Sequence, residues 1–272
     1  MSEQTHGPLG QTSSYPDQYD PGQLYPIPRE SGRVEIGVSA PLPFYGEDIW
    51  NAYEVSWLNG KGKPVVAMME LRVPATSPNI VESKSLKLYL GSFNQWAVDS
   101  TEQLQQTITR DLAATVGAEV GVRLLPLQQQ GPFAVQMLPG RCLDELDVEA
   151  HQFEVDASLL RVKAGHTSDV LHSHLLRSCC PVTGQPDWGS VLIEYEGPQI
   201  CEEGLLQYLI SFRNNQEFHE QCVERIFTDI SRRCAPQRLA VYARYTRRGG
   251  IDINPYRSSQ PGVPSNLRLV RQ

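Results

Sequence analysis

The pattern Tyr-Leu-x-Ser-Phe occurs twice, as Tyr89-Leu90-Gly91-Ser92-Phe93 and as Tyr208-Leu209-Ile210-Ser211-Phe212. The register continues past both copies: Glu102-Gln103 matches Glu220-Gln221, and Asp111-Leu112 matches Asp229-Ile230, at offsets of 118 or 119 residues. A repeat of this length in a chain of 272 residues predicts two copies of one supersecondary unit, each of about 120 residues. The approaches to the copies differ. The first is entered through Glu82-Ser83-Lys84-Ser85-Leu86-Lys87. The second is entered through Cys201-Glu202-Glu203-Gly204-Leu205-Leu206, which lacks both lysines but has Cys179-Cys180 and Asp187 upstream and Phe218-His219-Glu220 downstream. Neither half holds the full set of reactive-looking side chains, so the pattern predicts a composite site drawing on both.

Hydrophobic periodicity fills in each half. Residues 34–38 and 65–73 read as strands, the second with Met69, Leu71 and Val73 alternating with Glu70 and Arg72, giving one buried and one wet face. Ser100 to Val116 reads as a helix, with a capping pair Ser100/Gln103 and Leu104, Ile108 and Leu112 every fourth residue. A strand over 120–125 follows. In the second half, Val191, Ile193 and Tyr195 alternate in a strand. Helices follow over 205–212 and 219–234, then a strand from Leu239 to Tyr245. Strands bracketing adjacent helices predict an α+β class: two tandem modules, each an antiparallel sheet with two helices on one face. Residues 1–33 read as an irregular, proline-bearing N-terminal arm, 34–130 as the first module and 131–272 as the second, with 126–150 as the connection. No G-x-G-x-x-G is present, which argues against a Rossmann nucleotide site.

The net charge of −7 argues against non-specific nucleic-acid or anionic-membrane binding. No apolar run reaches the length of a membrane span, and Met1 to Gly10 lacks the regions of a secretory signal. The expectation is a cytoplasmic protein whose six irregularly spaced cysteines are free thiols.

Four groups of residues could carry chemistry. Cys180 stands before Pro181, outside a regular helix, and Asp187 lies seven residues on across a Gly-x-Pro turn that can return a carboxyl towards the thiol. The competing reading is two buried cysteines and an exposed turn aspartate. His219 and Glu220 open a helix, where the carboxylate is either a dipole-favoured first-turn residue or a ligand for a purine-like edge. Ser83, Lys84, Ser85 and Lys87 suit phosphate groups at a helix start or are an ordinary solvated face. Arg244, Arg247 and Arg248 before Gly249-Gly250 form either a phosphate loop or a solvated turn. His172-x-His174 carries a weak zinc signal, because histidines two apart on a helix diverge and the zinc C-x₂-C spacing is missing. The expectation is that no metal is bound.

The strings Cys180-Pro181-Val182-Thr183-Gly184-Gln185-Pro186-Asp187-Trp188, Glu82-Ser83-Lys84-Ser85-Leu86-Lys87 and Phe218-His219-Glu220 together resemble the NADPH-dependent 7-cyano-7-deazaguanine reductases, the nitrile reductases of queuosine biosynthesis. The resemblance runs from about Phe44 to Gln272 and is to the long form of the family, whose fold is a duplicated tunnelling fold. It implies Cys180 as the nucleophile that forms a covalent thioimide and Asp187 as the general acid. It implies Val81, Glu82, Ser83, Phe218, His219 and Glu220 as substrate contacts, with Phe218 as a lid. Ser83, Lys84, Arg248 and Gly249 resemble the NADPH contacts. Cys179 departs from the family's usual residue before the nucleophile. Because tunnelling folds assemble through sheet edges, a homodimer is expected. A zinc-dependent tunnelling-fold cyclohydrolase would instead need a metal triad. A non-catalytic purine-binding module would keep Glu220 but have no use for Cys180 and Asp187 together.

Overall fold

The computed structural model describes residues 16–128 and 134–272. The parts of the expected arm and connection at 1–15 and 129–133 lie outside the described residues. In chain order the elements are β1 (Pro26–Pro28), α1 (Arg29–Glu35), β2 (Tyr45–Leu58), β3 (Pro64–Pro74), β4 (Asn79–Val81), α2 (Ser83–Gly91), α3 (Thr101–Val116), β5 (Gly121–Pro126), β6 (Arg141–Cys142), β7 (Val162–Ser173), β8 (Arg177–Cys179), β9 (Pro186–Ile200), α4 (Glu202–Ser211), α5 (His219–Cys234), β10 (Arg238–Tyr245) and β11 (Ile251–Ser258). The class is α+β, with mainly antiparallel strand pairs. The chain divides into two compact units. One comprises Met1–Glu30, Asp48–Phe133 and Arg247–Asp252, and the other Ser31–Glu47, Ala134–Thr246 and Ile253–Gln272. Compared with the expected partition, residues 31–47 go with the second unit and 247–252 with the first. No helix among the described residues is long and apolar enough to cross a membrane.

In the first unit the strand order is β5-β3-β2. Leu71 and Met69 of β3 are buried as their alternation predicts, but Glu70 on the other face is also buried. It is retained there by Arg72, whose Nε donates to it at 2.8 Å. Helix α3 begins where Ser100 Oγ accepts from Gln103 N at 3.1 Å and packs on β4 and β5. Its stripe of Leu104, Ile108, Leu112 and Val116 is fully buried, and each such side chain stabilises the fold by roughly 1.5–3 kcal/mol. It stops at Gly117, whose φ of +73° puts it in the left-handed region. A Cβ there would also meet Pro78 Cγ at 2.7 Å.

In the second unit the order is β11-β10-β9-β7-β6, with β8 on β9. Helix α5 covers β9 and β10 through Cys222, Val223, Ile226, Phe227 and Ile230, all buried. Arg232 and Arg233 fall in its last turn, complementing the helix dipole. Both the stripe and the span agree with the periodicity of the sequence.

Three expectations are corrected. Residues 34–38 are not a strand, because α1 covers Arg29–Glu35. The described part of the arm is not irregular. Pro26 and Pro28 lie in β1, which among the described residues pairs with β4 alone, and such a two-stranded edge tolerates residues without an N–H. Arg29 then anchors α1 through a buried ion pair with Asp48 at 2.5 Å. His172 and His174 are not helical either: His172 lies in β7 and His174 follows its last residue.

Candidate active site

Within the second unit, β8 and β9 form a hairpin that places Ser178 opposite Asp187 and Cys179 opposite Pro186. Cys180 follows directly. Its N–H donates to the Gln185 carbonyl at 2.9 Å, and its carbonyl accepts from Gly184 N at 2.9 Å. Gly184 has a φ of +67°, which the reversal requires and a side chain would oppose. The predicted turn therefore does return the Asp187 strand beside the Cys180 strand. Cys179 and Cys180 have different backbone partners. Cys179 N donates to Asn215 O at 2.7 Å and its Sγ lies 3.9 Å from Arg213 O. Cys180 and Asp187 are both buried, at 3% and 4% exposure, which discards the exposed-turn reading of the aspartate.

Helix α5 delivers the next group. His219 Nε2 lies 3.3 Å from Asp187 Oδ2. The imidazole stacks flat on Tyr245 of β10, with centroids 3.8 Å apart and planes 4° apart. Its Nδ1 is buried and has no hydrogen-bond partner among the described residues. An imidazole fixed on one side by a carboxyl and presenting a bare nitrogen on the other is placed for a ligand or a proton. Glu220 is buried beside it in the first turn. Phe218 occupies the N-cap position but makes no side-chain cap hydrogen bond.

In the first unit, Glu82 is the N-cap of α2. Its carboxylate accepts from Lys84 N at 2.6 Å and Ser85 N at 2.8 Å. Burial pushes its pKa up, against the opposing pull of those two N–H groups and of Lys87. Val81, directly before it, is buried, and Ser83 is half-buried. The Arg247–Gly250 turn comes close to α2: a Cβ on Gly249 would meet Lys87 Cε at 3.1 Å and Nζ at 3.3 Å. Gly249 and Gly250 both have positive φ, +58° and +80°. This turn and the α2 start, read separately in the sequence, thus become neighbours. Arg247 lies over the Tyr53 ring at 4.7 Å. Arg244 does not belong to this loop. It is buried in β10, donating to Tyr242 Oη at 2.7 Å and to Gln272 Oε1 at 3.0 Å, so its role there is structural.

Residues 15–124 match a family model described as "Nitrile reductase, 7-cyano-7-deazaguanine-reductase N-term", and residues 186–262 match one described as "QueF-like protein". Proteins named NADPH-dependent 7-cyano-7-deazaguanine reductase are similar over almost the whole chain. That of Ralstonia nicotianae is 56% identical over 277 residues, covering 100% of both chains. That of Burkholderia pseudomallei is 55% identical over 271 residues, covering 98% of both. This chain belongs to the NADPH-dependent 7-cyano-7-deazaguanine reductase family. The crystal structure of an archaeosine synthase QueF-Like in the apo form aligns over 38% of this chain at 18% identity and a TM-score of 0.31, a likeness too slight to inform the fold.

Cys180 falls in the interval between the two matched regions, whereas Asp187, His219, Glu220, Arg248 and Gly249 fall inside the second. Tyr245 was legible only as one more apolar residue of an alternating strand, and no sequence signal marked it as the platform for His219.

Proposed function

We infer that this chain reduces the nitrile of 7-cyano-7-deazaguanine to the primary amine, the 7-aminomethyl compound, using two molecules of NADPH in turn. The observation that carries this reading is the constellation of a buried thiol and a buried carboxyl on one hairpin, with an imidazole 3.3 Å from that carboxyl.

A nitrile is a poor hydride acceptor. Addition of the Cys180 thiolate to the nitrile carbon, with protonation of nitrogen by Asp187, forms a C–S bond and gives a thioimide, a better electrophile. His219, between Asp187 and its own buried Nδ1, orients the acid and assists the proton's movement. Glu220 takes the deazaguanine N–H and amino edge, with Glu82, Val81 and Ser83 as further contacts. Phe218 closes over the intermediate and excludes the water that would hydrolyse an imine. Collapse after the first reduction returns the thiolate, so Cys180 is regenerated.

NADPH supplies hydride when bound, two equivalents accounting for the four electrons. Ser83, Lys84, Arg248 and Gly249 would hold it. The α2 start with Ser83, the lysines beside it and the two positive-φ glycines fit an anionic, phosphate-bearing ligand. The reading includes two tunnelling-fold modules, a cytoplasmic homodimer and no direct contact with nucleic acid.

The test is anaerobic mixing with 7-cyano-7-deazaguanine in the absence of NADPH, followed by intact mass and peptide mapping. A gain equal to the substrate on the peptide with Cys179 and Cys180, absent in Cys180→Ala, is expected. Normal turnover by Cys180→Ala would overturn the nucleophile assignment.

A further inference from the structure

A second cluster of ligating side chains lies in the second unit and is unused by the reaction above. Strands β6 and β7 pair in parallel, and their register sets Cys142 directly opposite His172. His174 is two residues on, one past the end of β7. The divergence that argued against a metal belongs to a helix, so it does not apply. One ligand atom from each of Cys142, His172 and His174 lies within 4.8 Å of the other two. The imidazole centroids are 5.3 Å apart.

The surroundings orient both rings as metal-binding histidines are oriented. His172 Nδ1 lies 2.9 Å from the Pro139 carbonyl, which can only accept, so Nδ1 carries the proton and Nε2 the lone pair. His174 Nδ1 lies 2.8 Å from Ser190 Oγ, and that oxygen also accepts from Arg271 at 2.9 Å. The carboxylate of Asp144 accepts from Ser173 Oγ at 2.6 Å and from His174 N at 3.0 Å, which fixes the backbone between the two histidines. Beside the rings opens a cavity of about 260 Å³, lined by Leu138, His172, His174, Ser190, Leu269 and Arg271 among others.

We propose that Cys142, His172 and His174 form a binding site for a borderline-soft divalent cation of the zinc class, with solvent from the cavity as the fourth ligand. One thiolate and two imidazoles suit Zn²⁺ in tetrahedral geometry, at about 2.3 Å to sulfur and 2.0–2.1 Å to nitrogen. Closing the cluster onto the ion needs the ligands to draw together, which the surface position of Cys142 allows. On binding, the Cys142 thiol proton leaves to solvent and the sulfur binds as thiolate, with no change of oxidation state. The ion would tie the two-residue β6 to β7 and so brace the segment leading out of residue 134.

The experiment uses the full chain, stripped with chelator, incubated with zinc sulfate, dialysed and assayed by elemental analysis, with cobalt(II) as a spectroscopic replacement. About one zinc per chain is expected, and with cobalt a thiolate-to-metal charge-transfer band together with tetrahedral d–d absorption. Cys142→Ser and His174→Ala should lose both, while Cys180→Ala should keep them. Cys142→Ser should also retain nitrile reduction, because Cys142 lies outside the reaction. Zinc retained equally by the wild type and Cys142→Ser would overturn the proposal, as would zinc lost only in Cys180→Ala, which would place the ion on the other thiol. No zinc on the wild type would overturn it outright.

Discussion

The helix pairs of the two units share their interior and differ at their starts. In the first, Tyr89 Oη donates to Asp111 Oδ2 at 2.8 Å, Ser92 Oγ donates to Tyr89 O at 2.6 Å, and Tyr89 meets Phe93 edge to face. In the second, Tyr208 Oη donates to Asp229 Oδ2 at 2.8 Å, Ser211 Oγ donates to Tyr208 O at 2.6 Å, and Tyr208 meets Phe212 edge to face. The likeness reaches further back than the sequence pattern did. Asp20 N donates to Ser92 Oγ at 3.2 Å and Asp156 N to Ser211 Oγ at 3.3 Å. Each aspartate then caps a 3-10 turn. Tyr25 O accepts from Glu82 N, and Arg161 O accepts from Cys201 N. The starts are unlike. Glu82 and Ser100 cap both helices of the first unit, whereas Cys201 and Phe218 leave both helices of the second without a side-chain cap. The shared Tyr–Asp–Ser frame holds the helices, and the two units differ in whether a side chain caps the helix starts.

The largest effect that tests this contrast is at Asp187. Asp187→Asn removes the transferable proton but keeps the shape, and should lower kcat by about 10²–10⁴-fold while substrate still binds, measured by steady-state kinetics and by titration calorimetry. A change confined to KM would break the assignment. On the other unit, Lys84→Ala should raise KM for NADPH by about tenfold, the loss of a charge-assisted contact, with the covalent adduct on Cys180 unchanged in mass spectrometry.

The frame itself can be compared by Tyr89→Phe and Tyr208→Phe in urea unfolding. Each removes a hydrogen bond to a carboxylate, about 1.5–3 kcal/mol. Tyr208→Phe should cost more, because Asp111 keeps Tyr19 at 2.6 Å and Arg110 at 3.0 Å. Burial raises the pKa of Asp229 and the Tyr208 hydroxyl opposes that rise. A raised carboxyl pKa contributes stability below the unfolded value and loses it as pH rises through the folded value. Without Tyr208 the folded value climbs further, so the deficit of Tyr208→Phe should grow from acid to neutral pH. Equal deficits at every pH would deny the hydroxyl this role. The smallest effect is on labelling. Burial lifts the Cys234 thiol to about 11 and the Cys222 thiol well above its ordinary value, so iodoacetamide at pH 8 should leave both unmodified in peptide maps.

Helices 101–116 and 219–234 and strands 64–74 and 238–245 were legible in the sequence, because their apolar residues recur at the period of the element and each cap or stop lies within a few residues of it. So was the return of Asp187 beside Cys180, since a Gly-x-Pro turn is a local instruction. The edge strand at Pro26–Pro28, helix α1 and the Tyr245 platform depend on partners far along the chain, such as Asp48 for Arg29, and no local pattern carries them. His172 and His174 show the same division at its sharpest. Their two-residue spacing is silent until the folded chain sets the two rings side by side, and only the β6–β7 register brings Cys142 to meet them. The sequence by itself determined the repeated frame and named the candidate side chains, because periodicity and turn chemistry are short-range. Which of those side chains meet was decided by tertiary structure, because strand register joins residues whose separation in the chain has no period to read.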